Sequence, residues 1–251
     1  MMLKIATFNV CGWKSAIKRE LLKWMENIEL DILAIQEIKT RDIHIPLDYL
    51  VKKYNFHFNP SKFHGTAIIT RLKPLNVSKK LGHKRFDDEG RFLKAEYDEF
   101  TFINVYMPHG KRDKADLPYK LEVYKILIEY LGRILSRNVK PIILVGDFNI
   151  AHKEVDLARP KENENNIMFT KEERIQIDEI IQLGFIDSYR RIHPRNGYTW
   201  WLRNLKAREM NFGWRIDYIF ITKQLESYIR NAYVQKMDIS DHSPLIIEIN
   251  L

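Results

Sequence analysis

Short apolar segments rich in β-branched residues recur along the whole 251-residue chain, at 3–8, 32–35, 66–70, 91–97, 101–106, 142–145, 216–221 and 245–249. Each has the length of a strand and falls far short of a membrane span. Helix-period patterns lie between them at 15–27, 117–137 and 171–183. The last is opened by Thr170 with Glu173 three residues on, the spacing of a capping box. Hairpin-like pairs around Asp98 and Glu99, and between the final two strands, predict mixed or antiparallel sheets rather than one parallel sheet. The order of elements therefore predicts a two-sheet sandwich flanked by helices. No Pro/Gly/Ser-rich linker and no internal repeat interrupts it, so one domain is expected over residues 1–251.

A content of 45% hydrophobic and 12% aromatic residues excludes a disordered chain, and no apolar run approaches eighteen residues. Met1 leads into the first strand without a secretory leader, from which a cytoplasmic protein with no membrane attachment is expected. The lone Cys11 has no partner for an internal disulfide. Forty-one Lys and Arg against 33 Asp and Glu leave a net charge of +8, which favours polyanionic partners. Many basic proteins bind no nucleic acid, so this is weak support.

Acidic and amide residues stand where the apolar strands stop. Asn9 follows the first strand, and Gln36 and Glu37 the second. Asp147 and Asn149 follow 142–145, Asp217 lies within the segment that starts at Arg215, and Asp241 and His242 precede the last strand. Any one of these is explained by strand ends being polar. Together they place oxygen donors from five strands along one rim, a set suited to Mg²⁺, which needs few protein ligands. Glu37 and Asn9 suffice as that minimum, while Asp147 and His242 suit water activation and charge neutralisation on a phosphate. A carboxylate such as Asp217 within reach would hold His242 charged. The loop 151–169 is long enough to carry a function of its own.

Six motifs then run in order: Phe8-Asn9-Val10, Ile35-Gln36-Glu37-Ile38-Lys39, Asn104-Val105-Tyr106-Met107-Pro108, Gly146-Asp147-Phe148-Asn149, Asn211-Phe212-Gly213-Trp214-Arg215-Ile216-Asp217-Tyr218 and Ser240-Asp241-His242. With them the chain resembles, over nearly its full length, the exonuclease III / abasic-site (AP) endonuclease family of the endonuclease–exonuclease–phosphatase superfamily. The loop from Ala151 to Asn163 and Tyr198-Thr199-Trp200-Trp201 resemble the abasic branch in particular. The resemblance implies an α/β (α+β), four-layer αββα sandwich of two mixed, mainly antiparallel sheets. It implies a Mg²⁺-dependent phosphodiesterase, with Mn²⁺ as a substitute, that cuts 5′ to abasic sites in double-stranded DNA. The ends would be a 3′-hydroxyl and a 5′ sugar-phosphate, with 3′→5′ exonuclease and 3′-end-cleaning activity beside them, in a monomer.

By the same resemblance Glu37 is the principal metal ligand, assisted by Asn9. Asp147 aligns or deprotonates the attacking water and Asn149 orients it, both beside the metal. Tyr106 and His242 touch the scissile phosphate, His242 being hydrogen-bonded to Asp217; Asn149 and His242 also count among the metal residues, and Asp241 serves a second or migrating metal position. Trp200, Trp214 and Ile216 form a pocket for a base-free sugar flipped from the duplex, which is cheap to extrude because it has lost its stacking. His109, Arg112, Lys153, Lys161, Asn163, Asn166 and Arg208 are candidate contacts to phosphates and the DNA backbone. Taken singly, the Trp pair reads as ordinary core and each of these polar residues as solvated surface.

Four features depart from the family pattern. Cys11 stands where Asp or Asn is usual near the metal, and a thiol is a poor neighbour for Mg²⁺ and a better one for Mn²⁺. His109 replaces an Asn or Gln, which would make activity more pH-dependent if it titrates. The 61–65 segment is shorter than its counterpart, and Trp200 is bulkier than the Phe of some relatives. The rival readings are another superfamily phosphodiesterase, acting on RNA tails, phosphoinositides or sphingolipids, and a catalytically inactive DNA-binding protein. The Trp200 and Trp214 segment argues against the first, and the retention of Asn9, Glu37, Asp147, Asn149, Asp217 and His242 together argues against the second.

Overall fold

The computed structural model describes residues 2–137, 140–202 and 205–251. The first sheet contains β1 (Met2–Asn9), β2 (Ile32–Gln36), β3 (Asn55–Asn59) and β4 (Thr66–Thr70), joined late in the chain by β13 (Ile229–Val234) and β14 (Leu245–Asn250). Its order is β13-β14-β1-β2-β4-β3. The second is built from β5 (Asn76–Ser78), β6 (Phe92–Glu96), β7 (Thr101–Tyr106), β8 (Ile142–Asp147), β9 (Phe185–Asp187) and β12 (Asp217–Thr222), in the order β5-β6-β7-β8-β12-β9. A two-stranded ribbon, β10 (Trp200–Trp201) with β11 (Gly213–Trp214), stands apart.

Each large sheet contains one parallel pair, β1 with β2 and β7 with β8; every other pairing is antiparallel. A parallel pair needs a crossover. The first is made by α1 (Trp13–Lys18) and α2 (Leu21–Asn27), the second by α5 (Leu117–Arg137). The remaining helices are α3 (Asp48–Lys53), α4 (Lys84–Asp88), α6 (Lys171–Gln182), α7 (Ser188–Ile192) and α8 (Leu205–Glu209). Both crossovers leave the carboxyl ends of their strands at the same rim, so Asn9 lies opposite Gln36 in one sheet and Tyr106 opposite Asp147 in the other.

Alternation along the strands sets the layers. Ile5, Ile32, Ala34, Ile143, Val145, Ile219 and Ile221 fill the space between the sheets. Ala6, Leu33 and Ile35 face α1 and α2, where Trp13, Leu22 and Met25 join them. Ile142, Leu144, Tyr218 and Phe220 meet Val123, Leu127, Ile177 and Ile180 of α5 and α6. Both faces of the central strands are thus dry, which is why they read as unbroken apolar runs. The expected αββα sandwich is the observed one.

The departures are local. The helix expected over 15–27 is two helices, because Glu20 adopts a left-handed conformation at φ 65°. The turn at Asp98 and Glu99 closes the β6–β7 hairpin, with Tyr97 N donating to Phe100 O at 2.9 Å. The final two predicted strands form no hairpin: β12 lies in the second sheet and β14 in the first, and β13 intervenes and pairs with β14. The loop 151–169 is ordered by two 3₁₀ turns, Glu154–Asp156 and Pro160–Asn163.

Candidate active site

Asp147 ends β8 fully buried, and each of its oxygens is engaged. Oδ1 accepts from Asn149 N and Oδ2 from Asn9 Nδ2, both at 2.9 Å. The second bond joins the two sheets at the rim. Asp217 opens β12 directly opposite Asp147, and its Oδ2 lies 2.8 Å from His242 Nδ1. His242 Nε2 in turn stands 3.9 Å from Asp147 Oδ2. Ligand atoms of Asp147, Asp217 and His242 all fall within 4.8 Å of one another.

These charges tune each other. Burial and the neighbouring Asp217 push Asp147 up to about 7, against the pull of His242, Asn9 and the Asn149 amide. Burial opposes a charged His242, yet the charge and hydrogen bond of Asp217, with Asp147 and Asp241 behind it, outweigh burial and raise the imidazolium to about 10. His242 is therefore a cation at neutral pH, facing a carboxyl poised to exchange a proton. Among the described residues Asp217 Oδ1 is buried without a hydrogen-bond partner.

Tyr106 lies at the same end of β7, with the Arg91 guanidinium 4.4 Å from its ring centre and bonded to its carbonyl at 3.1 Å. Burial, then the charge of Glu37, raises the phenol well above its ordinary range, so it stays a hydroxyl donor. Glu37 follows β2 and pairs with the Lys39 ammonium, which also reaches Cys11 Sγ at 3.4 Å. Cys11, Glu37, Lys39 and Asn149 all adopt positive φ, at 49°, 63°, 47° and 52°. Such conformations cost about 1–3 kcal/mol each and persist only where the surroundings impose them. Gly146 allows β8 to pass β7 here: at φ 143°, a Cβ would lie 1.9 Å from Val105 O.

Among the described residues the His, Cys, Asp or Glu side chains that cluster closely enough to hold an ion are Asp147, Asp217 and His242. Their carboxylates suit a hard divalent ion, to which the Glu37 carboxylate and the Asn9 amide would add oxygens and the Cys11 thiol a softer neighbour. Asn9 Oδ1 already accepts from Cys11 N at 3.0 Å, which fixes the amide with its nitrogen toward Asp147. Charged His242 has no free lone pair at neutral pH and suits a phosphate oxygen better than a metal. Ser240 Oγ lies 3.2 Å from Asp241 Oδ1, beside the same loop.

Next to His242 stands an apolar cluster, in which Trp214 and Ile216 are buried and Trp200 packs against them. Trp200 pairs with Trp214 across the ribbon, their ring centres 6.4 Å apart at 74°, and the Trp200 ring lies 6.4 Å from that of His242. The tie is covalently remote but rigid: Trp200 bridges His242, Ser243 N donates to Thr199 O at 2.7 Å, and Thr199 Oγ1 accepts from the amides of Ile216 and Asp217. Ile216 packs with Trp214 against Ile167, Met168 and Phe169. Phe169, edge-on to Trp214 at 6.4 Å, escaped the sequence reading although it closes the long loop that attracted notice.

Arg112, Lys153 and Lys161 are exposed. Asn163 and Asn166 use side-chain amides to hold their own loop, through Ala158 O, Arg159 O and Asn163 Oδ1. Arg208 holds the catalytic loop, donating to Ser240 O at 3.2 Å and Ser243 Oγ at 2.7 Å, with its head over the Trp201 ring at 5.0 Å. His109 is mostly buried, and burial followed by the Lys120 charge lowers its pKa, so the imidazole is neutral at physiological pH. His109→Asn is accordingly expected to leave the pH–rate profile unchanged between about pH 6.5 and 9. A new inflection in that range would show that His109 titrates in the working enzyme.

Carboxyl, imidazolium, phenol and amide groups converging beside an oxygen-rich cation site define a hydrolase centre for phosphate esters. The comparisons agree. Residues 6–242 match the Endonuclease/Exonuclease/phosphatase family. The DNA-(apurinic or apyrimidinic site) endonuclease of Dictyostelium discoideum is 34% identical, over 99% of this chain and 71% of its own. The exodeoxyribonuclease of Bacillus subtilis (strain 168) is 32% identical, over 99% of this chain and 100% of its own. An AP endonuclease structure from Archaeoglobus fulgidus superposes with a TM-score of 0.91 at 31% identity, covering 99% of this chain and 100% of that one. The chain belongs to the endonuclease/exonuclease/phosphatase family. Among the described residues no helix is long and apolar enough to cross a membrane.

Proposed function

We propose that this chain is a DNA-repair phosphodiesterase that hydrolyses the backbone of double-stranded DNA 5′ to abasic sites, leaving a 3′-hydroxyl and a 5′ sugar-phosphate. The observation that carries this reading is the adjacency of the Asp147, Asp217 and His242 cluster to the apolar cluster of Trp200, Trp214 and Ile216. A sugar without a base has lost its stacking, so bringing it against these side chains forgoes the few kcal/mol that extruding an intact nucleotide costs. Exposed Arg112, Lys153 and Lys161 suit phosphate contacts that position a duplex without reading its sequence.

His242, kept charged by Asp217, and the Tyr106 hydroxyl hold the scissile phosphate. Asp147 takes the proton of the attacking water, whose second hydrogen or lone pair the Asn149 amide orients. Glu37, with Asn9 and Asp147, would hold a Mg²⁺ ion, or Mn²⁺ in its place, and the bound ion would supply neutralisation of the charge that grows on the phosphate. Asp241 stands near enough to this loop to serve a second metal position. A 3′ phosphatase from Neisseria, bound to a product DNA hairpin, is 26% identical with a TM-score of 0.91 over 99% of this chain and 100% of its own. That similarity supports 3′-end cleaning and 3′→5′ exonuclease action at the same centre.

End-labelled duplexes carrying a central abasic analogue, a uracil or only normal bases, incubated with Mg²⁺, separate these activities. We expect incision confined to the abasic strand and abolished by chelation. Equal cutting of the undamaged duplex at internal positions would remove the abasic assignment.

A further inference from the structure

Beneath the site lies a buried ion pair for which water activation, phosphate binding and the sugar pocket give no account. Lys120, in the first turn of α5, and Glu173, in the first turn of α6, are both completely buried. The amino end of a helix disfavours a cation, and an apolar side chain would pack α5 against α6 at lower cost. Lysine does something here that packing does not require. Its ammonium has three donors, and each has an acceptor: Glu173 Oε1 at 2.5 Å, Asn149 O at 2.7 Å and His109 O at 3.2 Å. Two of the three acceptors are backbone carbonyls of the loops that follow β7 and β8, the parallel pair whose ends carry Tyr106 and Asp147.

Glu173 is itself fixed. Its oxygens accept from Met168 N and Thr170 N, both at 3.0 Å, so the anchor of the tripod is the capping box of α6. Asn149 is held at three points, its N to Asp147 Oδ1, its Nδ2 to Met107 O and its carbonyl to Lys120. Without the third, its left-handed conformation would keep no restraint on the carbonyl side. Gly110, after His109, comes so close that a Cβ there would meet Ile167 Cδ1 at 2.6 Å and Lys120 Cδ at 3.4 Å.

We propose that Lys120, with Glu173 as its counter-ion, is a positioning residue that sets where the Asn149 amide and the His109 imidazole stand relative to the scissile phosphate. The inference rests on the proposed function, which puts Asn149 at the water that attacks that phosphate, and on His109 as the candidate phosphate contact that the sequence resemblance implies. It differs from a purely structural role, in which the pair only ties α5 to α6. Misplacement of a reacting group by about 1 Å costs on the order of 10²-fold in rate, so the loss should fall on kcat and spare KM.

Lys120→Met alone would strand a buried carboxylate and unfold the protein for an uninformative reason. The comparison is therefore between Glu173→Gln, which keeps one acceptor oxygen for Lys120 but gives up the counter-charge and the bond from Thr170 N, so that its own stability is the baseline, and the double variant Lys120→Met/Glu173→Gln. On an abasic duplex with Mg²⁺, Glu173→Gln should retain kcat within about 3-fold. The double variant should lose about 30-fold or more in kcat, with KM within about 3-fold and a melting temperature close to that of Glu173→Gln. Adding Lys120→Met to an Asn149→Ala, Glu173→Gln background should cost several-fold less than the same change does with Asn149 present, since one of the two groups being positioned is gone. Equal kcat in the two folded variants, or losses that multiply with Asn149→Ala, would overturn the proposal. Should the methionine variant not fold, Lys120→Gln on the same background gives the same contrast. If wild-type protein leaves abasic duplex uncut but trims 3′ ends, the functional reading fails, and the kcat contrast on that 3′-end substrate still decides the role of Lys120.

Discussion

Asp147→Asn should lower kcat by about 10³-fold or more while the protein stays folded, and Glu37→Ala should do the same. For Asp147 the reason is geometric. Its carboxyl joins the two sheets at the rim, taking Asn9 Nδ2 from one and the Asn149 amide from the other, and it faces the charged His242. An asparagine keeps the volume and the acceptor for Asn9 but cannot take a proton from water. Glu37 lies at the rim rather than in the core, so its truncation removes charge without opening a cavity. Single-turnover cleavage of an abasic duplex, with circular dichroism to confirm the fold, measures both. Wild-type rates in either variant would displace the site from this rim.

The same substitution should change how stability depends on pH. Asp147 titrates near 7 in the folded chain, above its ordinary 3.8. Below about 4 both folded and unfolded forms are protonated and nothing is lost. From about 4 to 7 the unfolded chain ionises while the folded one holds its proton, so stability falls as pH rises, and above 7 the penalty is complete. His242 adds to this at higher pH. Its folded value of about 10 stands above the ordinary 6.5, so its contribution is whole below 6.5 and disappears as pH rises toward 10. Metal-free protein should therefore melt at progressively lower temperature from pH 5 to 9, and Asp147→Asn should flatten the acidic half of that decline. Mg²⁺ should raise the melting temperature of wild type and not of the variant.

Much of this was legible before any coordinates. Strands with both faces dry, such as β8, announce themselves as apolar runs ending in a carboxylate. β3 and β13 did not, because they are edge strands with polar and half-exposed residues, and β5 and β9 are only three residues long. The site followed the same division. Asp147, Asp217 and His242 could be chosen by residue type and position, since strand ends on one rim must converge. Partnership could not: Asn9 reads as an oxygen donor, and nothing in the sequence says that its nitrogen binds Asp147 across 138 residues of chain. Arg208 reads as a DNA contact, yet it clamps the loop that carries His242. Side-chain direction is set by packing that only the assembled sheets provide.

Arg215→Met should produce the largest loss of stability, about 3–5 kcal/mol, because it strands charges that no water can reach. Arg215 is completely buried; its Nε lies 2.8 Å from Asp156 Oδ1 and its Nη2 2.7 Å from Asp187 Oδ2, with the guanidinium 4.3 Å from the Tyr218 ring. Burial works against an ionised Asp156, but Arg215 and then Arg190 outweigh it and hold the carboxyl below its usual range. Removing Arg215 leaves Asp156 to Arg190 and Asp187 to the α7 amides it caps. In a chain of this size the loss corresponds to roughly 6–20 °C in melting temperature. Arg215→Lys should recover only part of it, since one ammonium cannot reproduce a fork that spans two carboxylates. Arg215 lies between Trp214 and Ile216, and its amide donates to Asp156 O in the 151–169 loop, so the apolar cluster beside His242 should loosen as well. Activity on abasic duplex should then fail at a lower temperature than global unfolding. A melting temperature within about 2 °C of wild type would show that the buried network stabilises the fold far less than its geometry implies.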